Sequence, residues 1–217
     1  QDYRVAKACI QAGSHYIDLA DGRDFVQGFD SLHAEAKENH LLLVSGASTL
    51  PGLSSVVIDS LRGEFKTIRE IEILIAPAHQ TPRGKGTIAA VLSYCGMPFQ
   101  VLVDGDWVTK YGWQDLRRHR YPDFGLRLSG VCDVPDLGLL PGYVDSVNTV
   151  TFHAALEATW EHIALWKMAW VTRAGIVRKW DRFVPLFQKI SDRLIGLGTD
   201  VGGMHIRMSG ASINREP

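Results

Sequence analysis

His15-Tyr16-Ile17-Asp18-Leu19-Ala20 and Leu41-Leu42-Leu43-Val44 are the two short apolar runs on which the reading of this chain turns. Each follows a segment with helical spacing. Val5, Cys9 and Ala12 share one helical face that Gly13 stops, and Phe25, Phe29, Leu32 and Ala36 make a second stripe from about Asp24 to Glu38. Helix then strand, twice over, is the pattern of βα units, and the unbroken run at 41–44 suits a strand buried on both faces of a parallel sheet. Two strands alone leave most of such a sheet wet, so the pattern predicts further strands ahead of Gln1.

Past Val44 the small residues Ser45-Gly46-Ala47-Ser48-Thr49-Leu50-Pro51-Gly52 read as a tight loop entering a helix. Ser48 or Thr49 would be its cap, Pro51 would lie in its first turn, and the helix would run from about Gly52 to Leu61. Beyond it the pattern changes to two-faced strands. Ile71, Ile73 and Ile75 alternate with Glu72 and Leu74, and Met204, Ile206 and Met208 alternate with His205, Arg207 and Ser209. Between them the spacing predicts a helix at about Thr87 to Tyr94 and strands near Phe99 to Val108, Leu126 to Asp133 and Val147 to Leu156. Two closing helices follow, the last marked by Phe183, Phe187, Ile190 and Leu194. The predicted fold class is α/β: the tail of a parallel sheet, then an α+β region with a largely antiparallel or mixed sheet, the boundary falling between residues 48 and 49.

The 217 residues are 46% hydrophobic and 22% charged, which describes a globular chain and excludes disorder or a fibre. Lys+Arg 23 against Asp+Glu 24 removes the electrostatic argument for nucleic acid or an anionic membrane, leaving small molecules and other protein chains as partners. Ala154 to Val177 is the most apolar long stretch, but Glu157, Glu161, His162, Lys167 and Arg173 make it an amphipathic helix rather than a transmembrane segment. Cys9, Cys95 and Cys132 form neither a disulfide framework nor a paired zinc motif, which points to a reducing, cytoplasmic setting.

Three places carry chemistry-bearing residues. Tyr16 and Asp18, the candidate catalytic residues, stand at the carboxyl end of a parallel strand, where ligands lie in open α/β sheets; Asp18 either meets a substrate or ties down its own loop. The Ser48, Thr49, Pro51 and Gly52 loop aims backbone N–H groups and a helix dipole above the sheet, which suits an anionic or amide group, or simply a well-capped helix. Arg83, Lys85, Gly86 and Thr87 lie in Thr81-Pro82-Arg83-Gly84-Lys85-Gly86-Thr87, which lacks phosphate-loop spacing but offers bases for a substrate carboxylate, or forms a solvated glycine turn. The eight histidines show no metal-ligand spacing, so no metal site is expected. No GxSxG elbow or nucleophile with a nearby base is present, which counts against a hydrolase, whereas hydride transfer asks mainly for positioning. Trp160, Trp166, Trp170 and Trp180 suit a pocket, an interface or core.

These phrases, with Val5-Ala6-Lys7-Ala8-Cys9, Cys132-Asp133-Val134-Pro135-Asp136 and Leu197-Gly198-Thr199-Asp200-Val201-Gly202-Gly203-Met204, together resemble the saccharopine dehydrogenase-like oxidoreductases in order and spacing over nearly the whole chain. The resemblance implies that residues 1–48 are the C-terminal part of a dinucleotide-binding Rossmann domain and residues 49–217 a substrate-binding and dimerisation domain. It also implies NAD or NADP as cofactor of the full-length protein, a small-molecule substrate and a homodimer. The family's glycine-rich fingerprint is absent, so this chain alone is expected to bind cofactor poorly and to be inactive. Leu50 stands where lysine-pathway members typically carry Asp before Pro-Gly, a departure that weakens the expectation of saccharopine itself as the substrate. The alternative is a non-catalytic dimerisation module built on the same fold.

Overall fold

In the computed structural model, which describes residues 2–213, the elements follow in chain order. They are α1 (Arg4–Gln11), β1 (Tyr16–Ile17), α2 (Arg23–Gly28), α3 (His33–Glu38), β2 (Leu43–Val44), α4 (Ser54–Arg62), β3 (Phe65–Ala76), α5 (Lys85–Ser93) and β4 (Pro98–Val103). After them come β5 (Asp106–Tyr111), β6 (Arg117–Tyr121), β7 (Gly125–Val131), α6 (Asp136–Tyr143), β8 (Thr149–Leu156), α7 (Thr159–Arg173), α8 (Val184–Leu194) and β9 (Gly203–Ser212). The fold is mixed α/β, with a small parallel sheet and a larger mixed one. The chain divides into two compact units: the described parts of Gln1–Glu70, Val134–Asn148 and Met208–Pro217, and Ile71–Asp133 with Thr149–Arg207. The boundary read from sequence at 48/49 falls inside the first of them.

In the first unit β1 and β2 pair in parallel, Tyr16 with Leu43 and Ile17 with Val44. Period-2 alternation sends Tyr16 and Leu43 inward onto Ala6, Ile10, Phe29 and Leu32, joined by Tyr3, whose hydroxyl donates to the Phe25 carbonyl at 2.9 Å. The same alternation turns Ile17 and Leu42 to the opposite face, where they are 69% and 65% exposed. The runs at 15–20 and 41–44 form ladders of two residues each, shorter than their composition predicts. The helix expected from Asp24 to Glu38 breaks at Gly28 into α2, a tight 3-10 turn over Phe29–Leu32, and α3. The Ser31 hydroxyl donates to the Gly28 carbonyl at 2.7 Å, the local competition that makes serine a helix breaker.

The larger sheet runs β5-β4-β8-β3-β9, with β7 beside β8 and β6 beside β7. The single strand expected over Phe99 to Val108 is a hairpin: Asp104 (φ 52°) and Gly105 (φ 89°) make a two-residue turn that needs positive φ at both positions. The spacing did not predict β6, Arg117-Arg118-His119-Arg120-Tyr121, which full-register pairing with β7 makes a strand. Helix α6 was missed as well, because Gly138, Pro141 and Gly142 lower its propensity, while burial of Asp136, Leu137 and Leu140 holds it. The helix expected from Ala154 begins only at Thr159, since Ala154 and Ala155 pair with Gly130 and Ser129 on β7. No helix among the described residues is long and apolar enough to cross a membrane.

Candidate functional site

Asp18 closes the carboxyl end of β1. Its carboxylate accepts hydrogen bonds from the Tyr16 hydroxyl (2.9 Å), the Ser45 hydroxyl (2.9 and 3.0 Å), the Gly46 N–H (2.8 Å) and the Ala20 N–H (2.9 Å). Burial alone would raise its pKa; the Gly46 and Ala20 N–H groups and the Tyr16 and Ser45 hydroxyls outweigh that and hold the carboxyl below its ordinary value. Burial, then the bond to Asp18, push the Tyr16 phenol up to about 12, so it stays protonated at neutral pH. Asp18 is thus an anion whose charge is consumed in fastening β1 to the turn after β2. Asp18→Asn is expected to lower stability by about 2 kcal/mol in urea denaturation, the loss of one set of charge-assisted bonds. Because the folded pKa is the lower one, this contribution is present above the ordinary carboxyl pKa and is lost as pH falls through the depressed value.

The turn leads into the loop at Ser48 to Gly52, read from sequence as a seat for an anionic or amide group. Ser48 and Gly52 are half-buried, Thr49 is exposed and Pro51, joined to Leu50 by a cis peptide, is buried. Neither Ser48 nor Thr49 caps α4. The Ser48 hydroxyl donates to the Leu50 carbonyl (2.8 Å), and a wide turn over Thr49–Leu53 delays the start of α4 to Ser54. The N–H groups of Ala47, Ser48 and Leu53 are bonded to Asp18, Gly46 and Ser48 carbonyls. The Ser54 hydroxyl joins the Pro51 carbonyl (3.1 Å) and the buried Asp136 carboxyl, fastening α4 to α6. Burial raises the Asp136 pKa against the lowering effect of Ser54.

In the second unit Gly84, rather than Thr87, precedes α5, and Lys85 and Gly86 are exposed in its first turn. Arg83 and Thr87 line an open-sided cavity of about 280 Å³ between α5, α7 and α8, walled by Ile88, Leu92, Leu165, Met168 and Phe187. This lies near the lower edge of small-molecule pockets, about 300–1,000 Å³. Two of its lining side chains carry opposite charges: Glu161 Oε2 stands 3.7 Å from Arg83 Nη1, and also 3.6 Å from His79 Nδ1. Arg83 Nη2 is buried with no hydrogen-bond partner among the described residues. Of Trp160, Trp166, Trp170 and Trp180, Trp160 also lines the cavity, while Trp166 and Trp170 meet edge to face at 6.3 Å.

Sequence reasoning missed a third group. Glu72 of β3, set on the solvent side by its alternation with isoleucines, is instead buried beside His119 of β6 and His153 of β8. The two imidazoles lie 5.3 Å apart, and neither His153 nitrogen, nor His119 Nε2, nor the Tyr121 hydroxyl has a hydrogen-bond partner among the described residues. Burial, reinforced by His119 and Arg117, lowers His153 to about 4; burial also lowers His119, against the pull of Glu72. Three residues from three distant strands leave no local spacing to find.

No family model matches the chain, and no curated protein matches it. Among solved structures it is similar to apo histidine-tagged saccharopine dehydrogenase (L-Glu forming) from Saccharomyces cerevisiae, at 12% identity and a TM-score of 0.49 over 70% of this chain. The chain spans 37% of the length of that one.

Proposed function

We propose that this chain supplies the substrate-binding and subunit-pairing part of an NAD(P)-dependent oxidoreductase that transfers hydride at an amine- or hydroxyl-bearing carbon. The observation that carries the reading is the parallel β1–β2 pair: its outer face exposes Ile17 and Leu42, and its carboxyl end bears a small-residue turn. In open α/β sheets ligands sit outside the carboxyl ends of the strands, and a parallel sheet has both faces covered. At this edge the Asp18 carboxylate is already bonded to four donor groups, which leaves the turn rather than Asp18 to meet a dinucleotide. The resemblance to saccharopine dehydrogenase-like oxidoreductases supports the same reading.

In this scheme Asp18 and Tyr16 hold the turn in place, and Ser48, Thr49, Pro51 and Gly52 border the nicotinamide cofactor, which supplies the hydride chemistry when bound. Arg83 donates its unspent N–H group to a substrate carboxylate, Thr87 lines the same cavity, and Lys85 and Gly86 belong to the exposed first turn of α5. The apolar part of the substrate occupies the cavity. Fluorescence titration of the longest natural form of the chain with NADH and NADPH is expected to give saturable binding of one of them; binding of neither overturns the reading. Ala164→Trp, which fills the cavity from α7, is expected to weaken an anionic apolar dye such as anilinonaphthalene sulfonate at least tenfold. Unchanged dye affinity would remove the cavity from the scheme.

A second reading, a non-catalytic pairing module, is favoured by the apolar residues that the closing helices turn outward: Ile163 and Trp170 on α7 and Leu186 on α8 are all more than a third exposed. A dimer in sedimentation together with absence of NAD(P)H binding would select it.

A further inference from the structure

We propose that Glu72, His119 and His153 form a binding site for one divalent transition-metal ion of the zinc class, held between β3, β6 and β8. One ligand atom from each residue lies within 4.8 Å of the other two, and Glu72 Oε1 stands 4.0 Å from His119 Nε2. Around a tetrahedral ion with bonds of about 2.0–2.2 Å, ligand atoms stand about 3.4 Å apart, so the remaining closure of at most about 1.4 Å is within the reach of side-chain torsions.

The burial of His153 makes an ion the better account of the cluster. A neutral imidazole always carries one donor and one acceptor, and His153, 1% exposed, has a partner for neither among the described residues. Leaving such groups orphaned in a core costs free energy that proteins seldom tolerate. A metal bond satisfies the acceptor directly.

The carboxylate is divided in the way a ligand needs. Arg207 Nη1 takes Glu72 Oε2 at 3.3 Å, which fixes the group and leaves Oε1 directed to the histidines. Arg207 is itself 64% exposed, so solvent screens its repulsion of a cation, and Arg117 is exposed as well. Two imidazoles and a carboxylate select zinc, cobalt, nickel or iron over magnesium and calcium, which prefer all-oxygen shells. Three protein ligands leave one tetrahedral position open to solvent or a substrate atom.

Titration of the metal-free chain with Zn²⁺ by calorimetry at pH 7.5, and with Co²⁺ by visible absorption, tests the site. The expected result is one equivalent bound with sub-micromolar affinity, tetrahedral cobalt bands, and a zinc X-ray absorption spectrum showing nitrogen and oxygen neighbours only. His119→Gln and His153→Gln should each weaken binding at least tenfold, whereas exposed His33→Gln should leave it unchanged. No stoichiometric binding, a sulfur neighbour, or binding that survives both ligand substitutions would overturn the proposal. If His153→Gln does not fold by circular dichroism, the half-buried His119→Gln and the absorption spectrum of the unaltered protein decide.

Discussion

Replacing Gly96 by alanine is expected to destabilise the second unit by about 4 kcal/mol, whereas the same change at Gly175 should cost about 1 kcal/mol. The two glycines share almost one backbone conformation, φ +73° and +74°, so the left-handed penalty for a side chain is the same at both. Their surroundings differ. A Cβ at Gly175 meets nothing within 4 Å, but at Gly96 it would stand 2.4 Å from the Ala169 carbonyl oxygen and 2.8 Å from Thr172 Cβ, both on α7. Ala169 is fully buried and the Gly96 N–H is bonded to the Gly112 carbonyl at 3.0 Å, so neither side yields cheaply. Urea denaturation of the two variants measures the difference. Because α7 also walls the cavity, Gly96→Ala should weaken dye binding there and Gly175→Ala should not; equal losses of stability at the two positions would mean that α7 packs more loosely than described.

Acid is expected to remove about 3 kcal/mol of stability through His162 alone between pH 6.5 and pH 4. The imidazole is buried on α7 with its ring edge-on to Trp113, 5.4 Å between centroids, and burial lowers its pKa to about 4. The unfolded chain takes up the proton from about pH 6.5 downward while the native chain refuses it until about pH 4. The contribution is therefore complete above pH 6.5 and lost as the pH falls toward 4. His162→Leu, similar in volume and unable to titrate, should flatten the fall in melting temperature over that interval relative to the unaltered chain. Identical slopes for the two proteins would show that His162 is protonated without penalty, and so is not buried as described.

The parts of the fold legible in the sequence are those set by local pattern. The runs at Tyr16 and Leu43 announced a parallel pair, and Phe29 and Leu32 announced the helical layer beneath it, because alternation and helical spacing are properties of neighbours in the chain. The lengths were not legible: Ser31 against the Gly28 carbonyl and the turn at Asp104 and Gly105 cut longer elements short through single hydrogen bonds and dihedrals. Helix α6 and strand β6 went unseen because packing and pairing, not propensity, hold them. At the candidate site Asp18 stood out as a carboxylate at a strand end, but its five bonds to Tyr16, Ala20, Ser45 and Gly46 depend on the fold and could not be read from the chain. Arg83 and Thr87 reach the cavity from the segment that composition singled out, while Lys85 and Gly86 remain outside it. Glu72, His119 and His153 meet only across the folded sheet, where no window of sequence reaches.

Hydrogen exchange of the longest natural form of the chain, with and without saturating NADPH or NADH, locates a bound cofactor on the backbone. A cofactor seated at the carboxyl end of β1 and β2 should slow exchange of the amides from Gly46 to Leu53 and leave those of α7 and α8 largely unchanged. Protection confined to other segments, or none anywhere in Tyr16–Leu53, would contradict the placement of the cofactor and the oxidoreductase reading that rests on it.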